Sequence, residues 1–495
     1  MGTAGLKELL AHQKEYNYKI RVLALPIAQS RKKLKPYRNR IEIIWGDLRC
    51  YDDVLRGVTG SDIVLHVGGQ VSPRADYHPR LTFDTNVGAA RNIHQAVLAQ
   101  GDHQPKVVYI GSIAQMGDRR EPLHWGRTGD PICVSPYDHY GITKVIAERI
   151  LTDGGIRQWV SLRQSGILYP GILKNYDPIM FHVPIRGVLE WATVEDSGRL
   201  LERVCRPDVP SDFWNRYYNI SSGPQYRISN YEFEVLILNA IGCPRPEKIF
   251  NAKWFTTRNF HGMWYTDSDV LENYLHFRAN TPLHEYFRQM SHSPQLPFTV
   301  RMARMTRAAK LVPYALKAAM WAMANYPTHG TQTWIRKGNK LRLSAYYGSL
   351  DAYRSIPNWH HIDLSRPSDK VIRLDHGYDE QKPMEDFTIE DMQKAAAFRG
   401  GKCLSETMTQ GDWNTRLRWQ CAEGHVFEAS PKLILLGGHW CPDCFPNPYA
   451  WKSDARPWQW DAEARRNPFF AQLWKPLHEP TEDNIYDAHI FDGWK

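Results

Sequence analysis

The sequence has 495 residues, 42% of them hydrophobic and 12% aromatic, which is ample for a packed core in two or three domains. The net charge is +9, but residues 401–495 carry 10 basic and 13 acidic side chains, so the positive excess lies earlier and suits an anionic cofactor. No stretch reaches the ~18 apolar residues of a membrane span, and the first residues lack the apolar core of a signal peptide. Because the cysteines are mostly scattered along the chain, as in proteins of the reducing cytosol, we expect a cytoplasmic protein.

Residues 1–290 alternate short apolar runs with helical patterns, which is typical of parallel βαβ units. The patterns predict helices over residues 2–13, 86–99 and 140–151. They predict strands over residues 20–25, 41–45, 62–67, 106–110 and 159–163. This succession predicts a doubly wound α/β sheet whose ligand crevice lies at the carboxyl ends of the strands.

Tyr140 and Lys144 are four residues apart on one predicted helix and therefore lie one turn from each other. A nearby ammonium favours the phenolate and lowers a tyrosine pKa from its ordinary value of ~10, so the pair suits acid/base chemistry. The same spacing recurs at Tyr378 and Lys382, directly before Pro383 and outside any helical pattern. Spacing alone therefore does not separate a catalytic pair from a surface pair.

Six segments resemble, in the right order, the signatures of one protein family. They are Asp62-Ile-Val-Leu-His-Val-Gly-Gly69, Asn86-Val-Gly-Ala-Ala-Arg-Asn92, Tyr109-Ile-Gly-Ser-Ile-Ala-Gln-Met-Gly117, Leu162-Arg-Gln-Ser-Gly-Ile-Leu-Tyr-Pro-Gly171, Thr193-Val-Glu-Asp196 and Tyr218-Asn-Ile-Ser-Ser-Gly223. Residues 1–290 thus resemble the extended short-chain dehydrogenases/reductases, also called the NAD-dependent epimerase/dehydratase family. The resemblance implies a Rossmann-type sheet with a small substrate subdomain, mainly residues 165–290.

The resemblance also implies roles for individual residues. Tyr140 would exchange a proton with the substrate, Lys144 would lower the Tyr140 pKa and hold the nicotinamide ribose, and Ser112 would bind the same substrate oxygen. The implied NAD(P)-binding residues are Gly2, Asp47, Leu48, Gly68, Gly69, Asn86, Tyr140, Lys144, Gln164, Ser165 and Gly166. After the strand at 20–25, residues 31–33 are three cations without an acid, which favours NADP; a solvated basic turn is the alternative.

One departure concerns the start of the chain. The family begins with a strand and a glycine-rich turn, whereas here Gly2 corresponds to the third glycine of that turn. Two neighbouring strands would then lack the strand between them. We hypothesise that Met1 is an internal methionine and that the native chain begins upstream. An upstream reading frame without a strand-plus-glycine segment would contradict this hypothesis.

The expected reaction is hydride transfer at a secondary alcohol or ketone, with a small-molecule substrate. Residues 254–265 are rich in Tyr and Trp and would suit a hydroxysteroid-like ring system, whereas Arg119, Arg120 and Arg127 would suit an anionic group. A nucleotide-sugar epimerase or dehydratase is the alternative, but the residues after Ser112 offer no acids for dehydration. A catalytically silent dinucleotide-binding scaffold that acts through its C-terminal module is an alternative of another class. A homodimer is a plausible assembly.

Residues 291–395 show no recognisable motif and are treated as a linking region. Their apolar stretch 311–325 predicts a buried helix that covers the first domain. Because four cations precede it at positions 301–310, a helix lying on a membrane surface is the alternative.

Residues 396–495 form a predicted Trp-rich, zinc-binding module. Cys441 and Cys444 supply two thiolates, and Cys421 with either His425 or Cys403 completes the four ligands of tetrahedral zinc. The pattern resembles zinc-ribbon or treble-clef modules and implies a structural metal. Free buried cysteines and a redox pair are the alternatives. The slight acidity of this part argues against nucleic-acid binding.

Overall fold

A computed structural model describes residues 1–174, 176–243, 245–294, 312–447 and 456–486. The helices are α1 Gly2–Ala11, α2 Ala28–Leu34, α3 Tyr51–Val58, α4 Arg74–Tyr77, α5 Pro79–Leu98, α6 His139–Thr152, α7 Val194–Arg203, α8 Asn230–Ala240, α9 Pro246–Ile249, α10 Ser268–Leu275, α11 Leu283–His292, α12 Val312–Ala324, α13 Thr331–Arg336, α14 Lys340–Tyr347, α15 Leu350–Ser355, α16 Ile389–Phe398, α17 Trp460–Arg466 and α18 Pro468–Trp474. The strands are β1 Arg21–Ala24, β2 Glu42–Trp45, β3 Ile63–His66, β4 Lys106–Ser112, β5 Trp125–Gly126, β6 Trp159–Gln164, β7 Ile167–Leu168, β8 Val188–Glu190, β9 Ala192–Thr193, β10 Arg216–Ile220, β11 Arg227–Ser229, β12 Trp264–Tyr265, β13 Lys402–Cys403, β14 Leu417–Gln420 and β15 Val426–Ala429.

The central sheet is parallel and has the strand order β10-β6-β4-β3. Strands β4 and β6 are buried almost throughout, as their continuous apolar runs predict for a sheet covered on both faces. The pairing places Ser112 opposite Gln164, so both lie at the carboxyl edge of the sheet. The Rossmann-type α/β architecture expected from the sequence is therefore confirmed.

Strands β1 and β2 form a separate parallel pair. Within the described residues, β1 pairs only with β2 and β3 ends the four-stranded sheet. Strands β1 and β3 are mostly half-buried, in contrast to the buried β4 and β6. Each thus has one edge without a strand partner, as the sequence predicts; the hypothesis of an upstream start stays a prediction.

Helix α6 packs against α5 and against β4 and β6. Asp138 caps its N-terminus by accepting the Gly141 N–H at 2.7 Å, which satisfies one of the free amides of the first turn. Its buried residues include Ile142, Val145 and Leu151. The cap and this apolar face together fix the position of α6 and therefore of the Tyr140 backbone.

The C-terminal part shares a hydrophobic core with the parallel sheet. Val107, Leu151 and Trp159 of the sheet layer belong to the same buried cluster as Trp419 and Leu433. Strands β13, β14 and β15 form an antiparallel sheet of their own. This part is therefore joined to the sheet layer by apolar packing.

Helix α12 buries Met320 and Ala324 in the hydrophobic cluster that also contains Phe181 and Tyr286, while Tyr314 and Trp321 are exposed. The expected buried helix is thus buried on one side only. Among the residues with described structure, no helix is long and apolar enough to cross a membrane. Positions 301–310, which carry the four cations, lie outside the described residues.

Candidate active site

Ser112 is the last residue of β4 and is only 5% exposed. Its hydroxyl accepts the Ala114 N–H at 3.2 Å, while its own N–H donates to Gln115 Oε1 at 2.8 Å, so the strand turns into a short 3-10 helix here. The Ser112 side chain also lies close enough to the Tyr140 phenol to act on its pKa by hydrogen bonding. The strand end thus holds the hydroxyl beside the phenol, as the resemblance implies.

Tyr140 and Lys144 lie one turn apart on α6, and the Lys144 Nζ is 5.7 Å from the centre of the Tyr140 ring. This Nζ also lies 5.0 Å from the Tyr109 ring and donates to the Ile110 carbonyl at 2.8 Å. Burial lowers the pKa of Lys144 to about 8, although the Glu148 carboxylate opposes this change. The ammonium is therefore held by the backbone of β4 beside the phenol.

The expected lowering of the Tyr140 pKa is wrong for this structure. Burial raises the pKa of Tyr140 to about 12, and the negative charge of Asp138 adds to this rise, while the hydrogen bond with Ser112 opposes it. Desolvation disfavours the phenolate more strongly than the neighbouring polar groups stabilise it. The phenol is accordingly protonated at neutral pH.

Two glycines at the end of β3 are packed closely by side chains. A Cβ on Gly68 would lie 2.7 Å from Leu48, and one on Gly69 would lie 2.8 Å from the Asn86 side-chain oxygen. Gly2 opens α1 next to Val67, at the same edge of the sheet. A side chain at either glycine would therefore clash with Leu48 or Asn86, and the free amides of a helix terminus, such as that of α1, suit a phosphate. These residues fit a dinucleotide.

Asn86 supports the turn at Gly69 by hydrogen bonds. Its Nδ2 donates to the Gln70 carbonyl at 3.0 Å and to Thr143 Oγ1 at 2.9 Å, and its Oδ1 accepts the Gln70 N–H at 2.8 Å. All three bonds lie within the protein. Asn86 thus links the glycine turn to α6.

Asp47 and Leu48 follow β2. The Asp47 carboxylate binds the Arg49 guanidinium through both oxygens, with a closest distance of 2.7 Å. The Leu48 carbonyl accepts a hydrogen bond from Asn92 at 2.8 Å. Leu48 presents its side chain to Gly68, so the structure places both residues at the same edge as the glycines.

The segment after β6 makes its polar contacts within the protein. The Gln164 side-chain oxygen accepts the Ser197 hydroxyl at 3.1 Å, and the Ser165 hydroxyl donates to the Glu190 carbonyl. A Cβ on Gly166 would meet Leu189 at 2.5 Å, so packing alone requires a glycine there. Gln164, Ser165 and Gly166 thus lie at the carboxyl edge of the sheet, beside Ser112.

A small polar cavity of about 30 Å³ adjoins the N-terminal end of α6. Its polar lining includes Ser72, Asp76, Asp138, His182, His261 and Arg342. Sequence reasoning missed this cavity, because its walls come from segments more than 250 residues apart. Only Asp138, two residues before Tyr140, offered a local signal as a helix cap.

Burial raises the pKa of Asp76 in this cavity to about 8, and the negative charge of Asp138 acts in the same direction. The Arg342 guanidinium lies 4.0 Å from the centre of the Tyr137 ring and 5.2 Å from that of Trp334. Arg342 belongs to α14, so the region expected to be a linker supplies part of the cavity wall.

The arginines expected to bind an anionic substrate group are engaged elsewhere. Arg119 is buried and pairs with Asp130 at 3.0 Å, Arg120 pairs with Asp118, and Arg127 pairs with Glu380 at 2.8 Å. Likewise, Trp254, Trp264 and Tyr265 of the aromatic stretch are packed in the core. Tertiary contacts already use these side chains, so the three arginines do not form the anion-binding surface expected from the sequence. Of the aromatic stretch, Phe260 and His261 line the polar cavity described above.

The second Tyr-x-x-x-Lys pattern lies outside any helix, as expected. Lys382 Nζ pairs with Asp391 at 2.6 Å, and the Tyr378 ring packs against Phe387 with 5.7 Å between ring centres. Both side chains thus have structural roles.

Four ligand atoms converge in the C-terminal part, from Cys421, His425, Cys441 and Cys444. His425 Nδ1 is 3.4 Å from the sulfurs of Cys421 and Cys444 and 3.8 Å from that of Cys441, and the sulfurs of Cys421 and Cys444 are 3.6 Å apart. Zinc bond lengths of about 2.3 Å to sulfur and 2.0–2.1 Å to nitrogen give tetrahedral edges of about 3.6–3.8 Å. The cluster fits zinc.

Of the two expected ligand sets, the structure assembles the one with His425. Cys403 is outside this cluster and lies in β13, where it pairs with Trp419 across the sheet.

Comparison with known proteins gives related matches over the first part of the chain. Residues 1–159 match the family described as "NAD dependent epimerase/dehydratase family". Short-chain dehydrogenase/reductase family 42E member 1 of Bos taurus is 29% identical over 163 residues, which are 29% of this chain and 39% of that protein. D-erythronate dehydrogenase of Cupriavidus necator is 30% identical over 126 residues, 25% of this chain and 37% of that protein. The chain thus spans about two fifths of these relatives' length.

Among solved structures, the dTDP-glucose 4,6-dehydratase DesIV from Streptomyces venezuelae, a double mutant with NAD and DAU bound, is 18% identical. It has a TM-score of 0.45 over 62% of this chain and 94% of that one. The UDP-glucose 4-epimerase from Thermus thermophilus, in complex with NAD, is 17% identical, with a TM-score of 0.44 over 59% and 94% of the two chains.

Proposed function

We propose that the chain, whose residues 1–159 match the NAD-dependent epimerase/dehydratase family, also called the extended short-chain dehydrogenases/reductases, is an NAD(P)-dependent oxidoreductase acting at a secondary alcohol or ketone. The observation that carries the proposal is the grouping of the buried Ser112 and Lys144 with the half-buried Tyr140 at the carboxyl edge of a parallel sheet. A nicotinamide bound there would supply or accept hydride.

The chain's own residues account for the proton and for the orientation of the substrate. Tyr140 is protonated at neutral pH, so it is ready to donate a proton to a carbonyl oxygen that is being reduced. Ser112, whose hydroxyl lies beside the phenol, would hold the same oxygen. Lys144 keeps a positive charge one turn away, which would stabilise the phenolate left after the transfer.

The substrate class is proposed from the polar cavity. Its volume of about 30 Å³ admits a few atoms, and its lining is rich in carboxyl, imidazole and guanidinium groups. These properties favour a compact, hydroxylated end of a substrate over a hydroxysteroid ring system. D-erythronate, which the Cupriavidus necator relative is named for, is a compound of this kind and is included in the tests below.

The cofactor preference is proposed to be NADP. Arg31 lies over the Trp45 ring at the end of β2, with 4.7 Å from its guanidinium carbon to the ring centre. Burial lowers the pKa of the Met1 amino group at the start of α1, and the charge of Lys33 acts in the same direction. Cations at this place suit a 2′-phosphate.

Nicotinamide fluorescence during titration with NADPH and NADH tests binding, and a substrate panel tests turnover. The panel contains D-erythronate, UDP-glucose, dTDP-glucose and a 3-hydroxysteroid, each assayed for nicotinamide reduction and, for the derived ketones, oxidation. We expect a fluorescence change and turnover with at least one compound. Cofactor binding without turnover across the panel would instead support the silent scaffold.

The cluster of three cysteines and His425 is proposed to hold a structural zinc ion, because all four ligand positions come from the protein. The Cys444→Ser variant removes one ligand and is expected to lose most of the bound metal. Elemental analysis of protein purified without chelator measures this, with about one zinc per chain expected in the wild type.

The matched control for this prediction is Cys403→Ser, which changes the candidate cysteine outside the cluster. We expect this variant to keep its zinc. Wild-type protein without zinc, or equal zinc loss in both variants, would contradict the proposed site.

A further inference from the structure

A second cavity, of about 260 Å³, lies between α6 and the C-terminal part of the chain. Its wall is mostly apolar, and the side chains that form it include Val145, Ile146, Ile150, Trp460, Phe469 and Phe470. An apolar cavity of about 150 Å³ holds a benzene ring, so this one admits a ring with a short chain attached. Water would find few hydrogen-bonding partners along such a wall.

This cavity is separate from the candidate active site. Helix α6 contributes to its wall Val145, Ile146, Arg149 and Ile150. With 3.6 residues per turn, these four lie on the side of α6 roughly opposite to Tyr140 and Lys144. Neither of those two residues lines the cavity, nor does Ser112.

Arg149 brings a guanidinium to this apolar wall. It donates to the Trp440 carbonyl at 2.8 Å, and its guanidinium carbon lies 5.8 Å from the centre of the Phe427 ring. A guanidinium has five N–H donors. Among the described residues, the Trp440 carbonyl is the one acceptor that Arg149 binds, so most of its donors are left for a ligand.

The positive charge of Arg149 lacks a close counter-charge. In the described part of the chain, no carboxylate lies within 4 Å of its nitrogens. Asp153, one turn later in α6, is used elsewhere, since it pairs with Arg416 at 3.4 Å and accepts the Ser430 N–H at 3.0 Å. Burial lowers the pKa of Arg149, and the charges of Asp153 and Cys441 only partly offset this.

The other charged side chains of the wall are already paired. Arg456 lies 3.3 Å from Asp443, and Glu463 lies 2.8 Å from Arg466. An anion that enters the cavity therefore meets one guanidinium whose charge is not yet matched, inside an otherwise apolar wall.

We propose that this cavity binds a small organic acid, whose carboxylate receives hydrogen bonds from Arg149 and whose apolar body, about one aromatic ring with a short chain, packs against the apolar wall. A guanidinium matches a carboxylate with two parallel N–H bonds, and such charge-assisted bonds are stronger where water is excluded. The site is independent of the proposed oxidoreductase activity, because it lies on the other side of α6.

Isothermal titration calorimetry of the full chain with 3-phenylpropionate tests the proposal. We expect a Kd of about 1 mM or lower, as is usual for a ligand of this size. The amide of the same acid keeps the ring but not the charge, and it should bind at least about 10-fold more weakly. Acetate, which has the carboxylate without the ring, should show no binding.

Arg149→Met keeps an apolar stem and removes the guanidinium. We expect it to weaken 3-phenylpropionate binding by about 10–100-fold and to leave binding of the amide unchanged. Ile146→Trp fills the cavity and should abolish binding of both compounds. Arg418→Met, at an exposed arginine, is the matched control and should bind as the wild type does.

Tyr140→Phe should also bind 3-phenylpropionate like the wild type, because Tyr140 lies on the opposite side of α6. Zinc content and the urea midpoint are measured for each variant, so that a loss of fold is distinguished from a loss of the site. A wild type that binds no 3-phenylpropionate at about 10 mM would overturn the proposal. Equal affinity for the acid and its amide would overturn it as well, as would unchanged acid binding in a folded Arg149→Met.

Discussion

Tyr140→Phe is expected to lower kcat by about 10²–10⁴-fold, the range that a general acid or base contributes. Phenylalanine fills the same half-buried space beside Ser112 but cannot donate a proton to a carbonyl oxygen. The loss corresponds to about 2.7–5.5 kcal/mol of transition-state stabilisation. Initial rates of nicotinamide oxidation or reduction with the best panel compound measure it, and nicotinamide fluorescence checks that binding persists.

The chain contains its own control for this prediction. Tyr378→Phe changes the tyrosine of the second Tyr-x-x-x-Lys pattern, which packs against Phe387 and lies outside any helix. We expect kcat to stay within error of the wild type. Full activity of Tyr140→Phe would contradict the assignment of the acid.

Glu148→Gln is expected to lower the free energy of unfolding by about 3–5 kcal/mol, because it leaves a buried guanidinium without its charge partner. Glu148 binds Arg163 at 2.7 Å, the Ser161 hydroxyl at 2.6 Å and His439 Nε2 at 2.8 Å, and the Glu148 and Arg163 side chains are completely buried. The variant keeps the side-chain shape, so the loss reports the charge. Urea denaturation followed by tryptophan fluorescence measures it.

The pH dependence of the free energy of unfolding follows from the Glu148 carboxylate. Burial alone would raise the pKa of Glu148, but the Arg163 charge and the His439 hydrogen bond outweigh it and hold that pKa far below its ordinary value. A carboxylate with a depressed pKa stabilises the fold above its unfolded value of ~4.3 and loses this contribution as the pH falls further. The difference between wild type and Glu148→Gln should therefore shrink below about pH 4.

Asp102→Asn is the matched surface change, since Asp102 pairs with Arg157 where both side chains are largely exposed. We expect no measurable shift of the urea midpoint for this variant. Equal destabilisation by both changes would contradict the large contribution to the free energy of unfolding that is assigned to the buried Glu148–Arg163 pair.

The sheet layer was predictable because its signals are local. Apolar runs bounded by turns predicted each of the first five long strands within one or two residues, and the helix predicted over 140–151 spans His139–Thr152. The helix predicted from residue 86 begins earlier, at Pro79, since a proline at the first helical position fits without a hydrogen-bonding N–H. Local chemistry also indicated the cluster of Cys421, Cys441 and Cys444.

Contacts between distant segments could not be predicted. Glu148 and His439 are 291 residues apart, so nothing in either segment indicates the pair that joins the C-terminal part to α6. Asp138 and His261 are likewise 123 residues apart. The direction of the Tyr140 pKa shift depends on burial, which the spacing of Tyr140 and Lys144 does not reveal.

Hydride transfer at the Ser112–Tyr140–Lys144 site is the central claim, and isotope transfer tests it most directly. The protein is incubated with 4-deuterated NADPH or NADH and the ketones derived from the panel, and deuterium on the product carbinol carbon is measured by mass spectrometry. We expect label in at least one product, with the rate of labelling strongly reduced in Tyr140→Phe. Bound cofactor that transfers no label to any panel ketone would contradict it.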